Sequence, residues 1–583
     1  MSEEIKDNAL ETMRHSAAHV MAEAVLAMFP DAKFAIGPAI EDGFYYDFDL
    51  SRPLTPDDLP TIEKKMKEVI KANLPFQQSE MTKDEAKKLF AGQPYKLELI
   101  NDIEGDKVGI YQQGNFTDLC RGPHVRYTSQ VKAFKLTSIA GAYWRGDEHN
   151  KMLQRVYGLA FKTQKELEDY IVWQEEIKRR DHRKLGKDLD LFIFSELVGK
   201  GLPLYTEKGS TIRRELERFV VDEELKRGYK HVYTPDLANV ALYKMSGHYP
   251  YYKDTMYPVM KVDEEELILR PMTCPHHYQY YAAKPRSYRE LPFRIAELAK
   301  QFRYEKSGEL TGLARVRLFC LADGHIICTK DQAVGEINGA LDLIEYAAGV
   351  FGLKKGEDYR YRLSLGDRAD TKKYYKDDAA WDHAEDLLRN VLKVRQAVFF
   401  EAGNEAAFYG PKIDIQMKNV AGKEETAFTT QYDFVGPKRF KLTYIDSDGK
   451  EKEPIVIHRS SIGAIERTMA FLIEHYAGAF PLWLSPVQVK LIPVSDRHNE
   501  HAAKVAAEMK ARGIRVEIDD RSERMNLKIR QAQIEKINYM VILGDKEAAD
   551  NSVSVRKRDG EQLPTQSLAE FIDTLVAEIA AKK

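Results

Sequence analysis

The chain has 583 residues, enough for several domains, with a hydrophobic fraction of 43% and a formal net charge of −3. So nearly neutral a balance argues against a non-specific nucleic-acid coat while leaving room for local basic patches, and no apolar run approaches the roughly 20 residues that a bilayer span needs. The opening MSEEIKDNALETMRHS is too polar and acidic for a signal peptide, and four cysteines in so long a chain are no disulfide framework, so a reduced, cytoplasmic setting is expected.

Residues 1–162 mix helical and alternating strand patterns and read as an α+β unit. In it ALETMRHSAAHVMAEAV predicts a helix that carries His15 and His19 at i, i+4 on one face. Farther on, DLCRGPHV holds Cys120 and His124, with Asp118 close by. On spacing alone the two pairs read as a Cys-His₃ zinc site. Residues 163–184 lie in the highly charged KTQKELEDYIVWQEEIKRRDHRK and predict a linker helix whose basic end could touch RNA. Residues 185–481 alternate short strands with long connections. Near their start GSTIRRELERFVVDEELKRGY predicts an amphipathic helix, with Ile212, Leu216, Phe219, Val220 and Leu225 on its apolar face. KHVYTP follows, and Pro235 belongs at a strand edge or bend because it cannot donate to a ladder. Residues 482–583 read as a small α/β unit: strand VQVKLIPV, helix 499–512, strand IRVEIDD, helix 525–535 and strand YMVILG. No internal repeat or low-complexity tract is present.

Two stretches in the central unit carry chemistry, FRYE at 302–305 and SIGAIERT at 461–468. Each offers an arginine, Arg303 and Arg467, whose planar fork suits a polyphosphate because it donates two parallel charge-assisted bonds and stays charged. Lone arginines usually sit in surface salt bridges. In this order and with these flanks, the pair resembles motifs 2 and 3 of the class II aminoacyl-tRNA synthetases, and the helix preceding Pro235 resembles motif 1. That resemblance implies an antiparallel-sheet catalytic core and a homodimer. Cys274 in RPMTCPHHYQ, His325 in LADGHIIC and His458 in VIHRSS match no zinc pattern by spacing alone, and a lone buried His or Cys is more often core. Taken with FYGPK at 408–412 and HR-x-x-x-G-x-x-ER, they make the chain resemble the threonyl-tRNA synthetases over nearly its whole length.

The resemblance implies one zinc per subunit on Cys274, His325 and His458. Three N/S ligands leave a position open for substrate. Threonine chelates through its amine and hydroxyl while valine lacks the second donor, a difference worth on the order of 10⁴–10⁵ in selection. Asp323 would receive the hydroxyl, with Met272, Tyr409 and Gln431 lining the pocket. Arg303 would face the α-phosphate, Phe319 stack on adenine and Arg467 hold the ATP tail. Glu305, Arg315 and Lys412 would give support, and Mg²⁺ would accompany ATP. His248, in SGHYPYY, would take part in transfer to tRNA(Thr). Serine differs from threonine by one methyl, worth only about 1–3 kcal/mol, so a second site is expected. The family's editing domain carries the same HxxxH and CxxxH set and hydrolyses seryl-tRNA with no obligatory metal. His15, His19, Asp118, Cys120 and His124 are therefore expected to edit. The last unit resembles an anticodon-binding domain, in which Glu547 and Arg556 match base-reading positions. A solvated surface strand explains Lys557 and Arg558 equally well.

Bacterial members of the family usually begin with a small ubiquitin-like domain, whereas this chain starts almost at the editing helix. Leu321 and Thr426 stand where many relatives have glutamine. Two other classes compete: a non-catalytic RNA-binding paralogue, and a related class IIa ligase for proline or serine. Retention of Arg303, Arg467, Cys274, His325 and His458 argues against the first. The second needs neither the Cys274 trio nor an HxxxH front domain.

Overall fold

The computed structural model describes residues 8–583, apart from the side chain of Pro250. The first seven residues of the acidic opening stretch thus lie outside the described residues. Contacts divide the chain into residues 1–176 and 177–583, with the helix Gln164–Arg180 running through the boundary. Among the described residues no helix is long and apolar enough to cross a membrane.

In the first unit the helix Asn8–Leu26 is buried almost continuously from Met13 to Val25, which its alanine-rich sequence allows at close range. It packs on an antiparallel sheet built from Lys33–Phe34, Ala39–Ile40, Gly43–Asp49, Met152–Phe161 and Ala133–Tyr143. Alternation in GFYYDFD turns Phe44, Tyr46 and Phe48 inward together, all fully buried. A smaller sheet, Gln77–Thr82, Lys107–Gln113 and Phe116–Leu119, sends Phe116 and Asp118 inward by the same rule.

The second unit is organised on an eight-stranded sheet. Its spatial order is Lys230–His231, Phe293–Phe302, Leu318–Cys328, Ile455–Ala464, Glu424–Asp433, Lys412–Lys418, Tyr359–Ser364 and Phe399–Ala402. The two outermost pairings are parallel and the five inner ones antiparallel. One face is covered by apolar helices including Ala333–Val350 and Ile465–His475, which share a core with Cys320, Ala322, Ile326 and Cys328. The other face is the site. Where Leu318–Cys328 pairs with Ile455–Ala464 the register slips between Leu321 and Asp323. Gly463 lies in this bulge at φ 71°, and a Cβ there would meet the Ala427 carbonyl oxygen at 2.5 Å.

The amphipathic helix after residue 205 spans Glu207–Lys226, capped by the Thr206 side chain. It ends earlier than the periodicity predicts because Gly228 takes the left-handed region at φ 80°, and Leu225, expected on the buried face, is exposed. Buried acids replace it: Glu224 faces the interior and meets the fully buried Arg459 (2.5 Å), His231 (2.8 Å) and the Ser461 hydroxyl (3.0 Å). Burial would raise the Glu224 pKa, but the Arg459 charge and His231 more than offset it and hold it below the ordinary carboxylate value.

The C-terminal strands Val516–Ile518, Val489–Pro493 and Tyr539–Leu543 pair in parallel, as their alternation with helices predicts, and Ser552–Lys557 and Gln566–Ser567 add antiparallel strands at the edge.

Glu224→Ala strands the Arg459 guanidinium without its buried partner and should destabilise the second unit by about 3–5 kcal/mol. A urea titration that finds the same midpoint and slope as the parent chain would contradict this.

Candidate functional site

Period-two alternation places Phe319, Leu321, Asp323 and His325 on one face of their strand. Register then carries that face sideways: His325 pairs with His458, His458 with Gln431, and Gln431 with Lys412. The row floors a cleft of about 360 Å³ walled by Met272, Cys274, Arg303, Glu305, Arg315, Tyr409 and Arg467. Leu321 and Thr426 also line it. Of the residues expected in the catalytic unit, only His248 is absent from the wall. It is buried behind, with Nδ1 2.8 Å from the Ser246 hydroxyl, and burial followed by the nearby His458 holds its pKa down to about 3.

One donor atom each from Cys274, His325 and His458 lie within 4.8 Å of one another, and all three residues are buried. Each imidazole has one nitrogen spoken for. Nδ1 of His325 is 2.7 Å from Nδ1 of His277, whose Nε2 is 3.2 Å from the Glu297 carboxylate. A proton chain running from His325 to Glu297 leaves Nε2 of His325 open. Nε2 of His458 is 2.9 Å from Asp433 and leaves Nδ1 open. Asp433 is fixed in turn by the backbone N–H groups of Val435 (2.8 Å) and Gly436 (2.7 Å) and by the Tyr278 hydroxyl (2.8 Å). Burial alone would raise the Asp433 pKa, but the His458 bond and those backbone donors hold it below the ordinary range. A soft sulfur plus two oriented imidazoles, each backed by a hydrogen-bonded partner, fits a metal of the zinc type.

Arg303 lies with its guanidinium 5.0 Å from the Phe319 ring centroid. Burial, and after it the like charge of Arg467, lower its proton affinity. Two cations sharing a low-dielectric cleft repel each other until an anion arrives. Glu305 is bound to Arg315 at 2.7 Å, Lys412 to Asp414 at 3.0 Å, and the Tyr409 hydroxyl donates to Gln431 at 2.6 Å. Asp323 is buried beside Gln301, whose amide donates to it at 3.3 Å, and burial raises its pKa.

The first unit gathers its own cluster. The ring centroids of His15 and His19 both lie 4.2 Å from that of His124, and the Cys120 sulfur is 3.4 Å from His15 Nε2 and 3.3 Å from His124 Nε2. The Ser16 hydroxyl, itself donating to the Thr12 carbonyl, sits 3.0 Å from Nδ1 of His124 and so points the Nε2 lone pair toward the cluster. Asp118 lies 3.5 Å from His19. Burial lowers the pKa of His15, His19 and His124 and pushes the Cys120 thiol up to about 11. Sequence reasoning missed two members: Lys96, ion-paired with Asp118, and Tyr46, whose hydroxyl donates to Asp118 at 2.6 Å. A lone Lys and a lone Tyr carry no spacing signal. His277 and Asp433 were missed for the same reason, although the His276-His277 doublet beside Cys274 was visible.

In the C-terminal domain Glu547 is half-buried and accepts the Gly544 N–H at 3.0 Å, closing a helix start. Arg556 is half-buried on its strand opposite Met540, its Nε without a partner.

Comparison with known proteins gives three family matches: "tRNA synthetase class II core domain (G, H, P, S and T)" over residues 257–476, "Anticodon binding domain" over 488–578, and "Threonyl and Alanyl tRNA synthetase second additional domain" over 108–157. Among curated proteins, a threonine–tRNA ligase of Geobacillus sp. (strain WCH70) is 51% identical over 98% of this chain and 89% of its own length. One of Streptococcus suis (strain 05ZYH33) is 52% identical over 99% and 89%. Among solved structures, the RNA binding domain of threonyl-tRNA synthetase from Cryptosporidium parvum Iowa II is 34% identical, covers 68% of this chain and 98% of its own, and superposes with a TM-score of 0.65. With its class II core, anticodon-binding domain and additional domain all in place, the chain belongs to the threonine–tRNA ligase family.

Proposed function

We propose that this chain activates L-threonine with ATP, transfers it to tRNA(Thr), and hydrolyses seryl-tRNA(Thr) with its first unit. The observation that carries the reading is the meeting of a Cys-His-His donor set and two facing arginines in one cleft. A non-catalytic paralogue would have no use for both. Residues 1–162 are assigned to editing, 163–184 to the linker, 185–481 to catalysis and 482–583 to the anticodon.

In the synthetic cleft, Arg303 binds the α-phosphate and meets the charge that develops there, which is worth more in a dry site than in water. Arg467 holds the ATP tail, Phe319 stacks on adenine, and Arg315, steadied by Glu305, lies alongside. Lys412 supports the phosphates, and Mg²⁺ accompanies ATP. Cys274, His325 and His458 would hold one zinc ion, which when bound supplies open coordination for the amine and hydroxyl of threonine. Asp323 accepts a hydrogen bond from the hydroxyl, and Met272, Tyr409 and Gln431 close the pocket around the methyl. His248, buried beside the Ser246 hydroxyl, takes part in transfer to tRNA(Thr).

In the editing site, the neutral histidines and the Cys120 thiol orient a water toward the ester of seryl-tRNA. His15, His19, Cys120 and His124 stand close enough to hold a metal ion, and Lys96 beside them is ion-paired with Asp118. On this reading hydrolysis is metal-free, with the water oriented by the side chains alone. Glu547 and Arg556 read anticodon bases. The stretch around Pro235, with Tyr233 93% and Leu237 41% exposed, supplies apolar surface for a homodimer. A cytoplasmic setting suits four free cysteines.

Three outcomes are expected. Cys274→Ala should lose both bound zinc, measured by atomic absorption, and threonine-dependent pyrophosphate exchange; a zinc-free protein with full exchange would end the metal assignment. Arg303→Ala should cut the exchange rate by at least about 10²-fold while leaving the chain folded. Replacing His15 and His19 together should leave threonylation intact and let seryl-tRNA(Thr) accumulate; a folded double variant that still clears seryl-tRNA would rule the editing role out.

A further inference from the structure

The loop that follows Arg303, residues 306–316, is anchored at two points on the helix Ile465–His475. The Ala314 carbonyl accepts a bond from Nε of Arg467 at 3.3 Å. One residue earlier, the Leu313 N–H donates to Nε2 of His182 at 3.1 Å, and Nδ1 of His182 lies 2.6 Å from the Glu474 carboxylate. Arg467 and Glu474 are two turns apart, so they share a face of that helix. His182 is buried, and its own backbone N–H also donates to Glu474, at 3.3 Å.

The contact is built from both sides. Gly312 stands at φ 48°, and a Cβ there would come within 2.2 Å of His182 Nε2, so only glycine lets the loop backbone settle on the ring. Asp181, His182 and Glu474 lie close enough together to look like a metal site. They are not free to be one. Asp181 is taken by the Arg183 guanidinium at 2.5 Å and by its backbone N–H at 2.7 Å, and both nitrogens of His182 are committed. Because Nε2 must accept from Leu313, the ring's proton belongs on Nδ1, and Glu474 selects that tautomer. Beneath the loop lies a second cavity of about 150 Å³, lined by Phe351, Met417, Phe428 and Phe471 and bordered by Ala314 and Arg467. His182 and Glu474 themselves line this cavity.

We propose that His182 is a positioning residue for ATP: by accepting the Leu313 N–H and passing the load to Glu474, it holds the loop at the height where Ala314 and Arg315 form the wall of the nucleotide cleft. His182 itself does not line that cleft. The assignment rests on the ligase reading above.

The test is ATP–pyrophosphate exchange by the full chain with ATP and threonine varied separately. His182→Phe keeps the ring's bulk but neither bond, and should raise the KM for ATP about three- to tenfold, the worth of one or two buried hydrogen bonds, with the KM for threonine unchanged. His182→Gln can accept from Leu313 and donate to Glu474, and should restore the KM for ATP. A purely structural histidine would lower the melting temperature and leave the KM for ATP where it was, and that result in a folded His182→Phe overturns the proposal. Should His182→Phe not fold, Glu474→Leu carries the test, since the ring then loses the group that selects its tautomer; a KM for ATP within twofold of the parent chain overturns the proposal equally. No exchange by the parent chain would instead sink the ligase reading.

Discussion

The period-two alternation of a strand, combined with fixed antiparallel register, is the constraint on which the rest of the second unit depends. Once Leu318–Cys328 pairs with Ile455–Ala464 so that His325 meets His458, every other position of both strands is assigned. Phe319, Asp323 and His325 must face the cleft, and Cys320, Ala322 and Cys328 must face the helices. A slip of one residue would send the histidines into the apolar core and the cysteines into the site. The bulge at Gly463 lets the same pair of strands keep this register at one end and hand over to the arginine-bearing helix at the other.

Buried charge holds that register in place. Arg459 alternates with His458 and Ser460 and so points to the opposite face, where it meets Glu224 and stacks 4.2 Å over the Tyr229 ring. Glu466, next to Arg467, likewise turns inward to Arg213 at 2.6 Å and accepts the Cys320 N–H at 2.8 Å. Each pair thus offers one side chain, His458 or Arg467, to the cleft and commits its neighbour to the scaffold. Residues adjacent in sequence divide between function and support.

Much of this was legible beforehand, and unevenly. The HxxxH pair was readable because helical spacing alone brings His15 and His19 to one face. The long-range trio Cys274, His325 and His458 was not readable from spacing, since sheet register joins the two histidines and the start of the separate helix Cys274–Ala282 brings the cysteine; resemblance supplied what periodicity could not. Strand–helix rhythm predicted the parallel part of the C-terminal sheet but not its antiparallel edge. Leu225 was assigned to the core on helical periodicity and is exposed, because buried carboxylates at 223 and 224 take that face and the helix ends at a left-handed glycine. Lys96, Tyr46, His277 and His182 act through partners 20 to 292 residues away, and no local pattern marks such residues.

The sheet's spatial order has a consequence for how the protein is made. The strand Ile455–Ala464 lies between Leu318–Cys328 and Glu424–Asp433, so the segment synthesised last among these three occupies the middle. Until it emerges from the ribosome, the edges of Leu318–Cys328 and Glu424–Asp433 that it will join stand open, and neither the Cys274–His325–His458 group nor the pair of arginines is complete. Such non-local closure is slow relative to helix formation and leaves unpaired edges exposed while it waits. A chain stopped before residue 455 therefore lacks the middle strand of its sheet together with His458 and Arg467, and the cleft can close only late in translation.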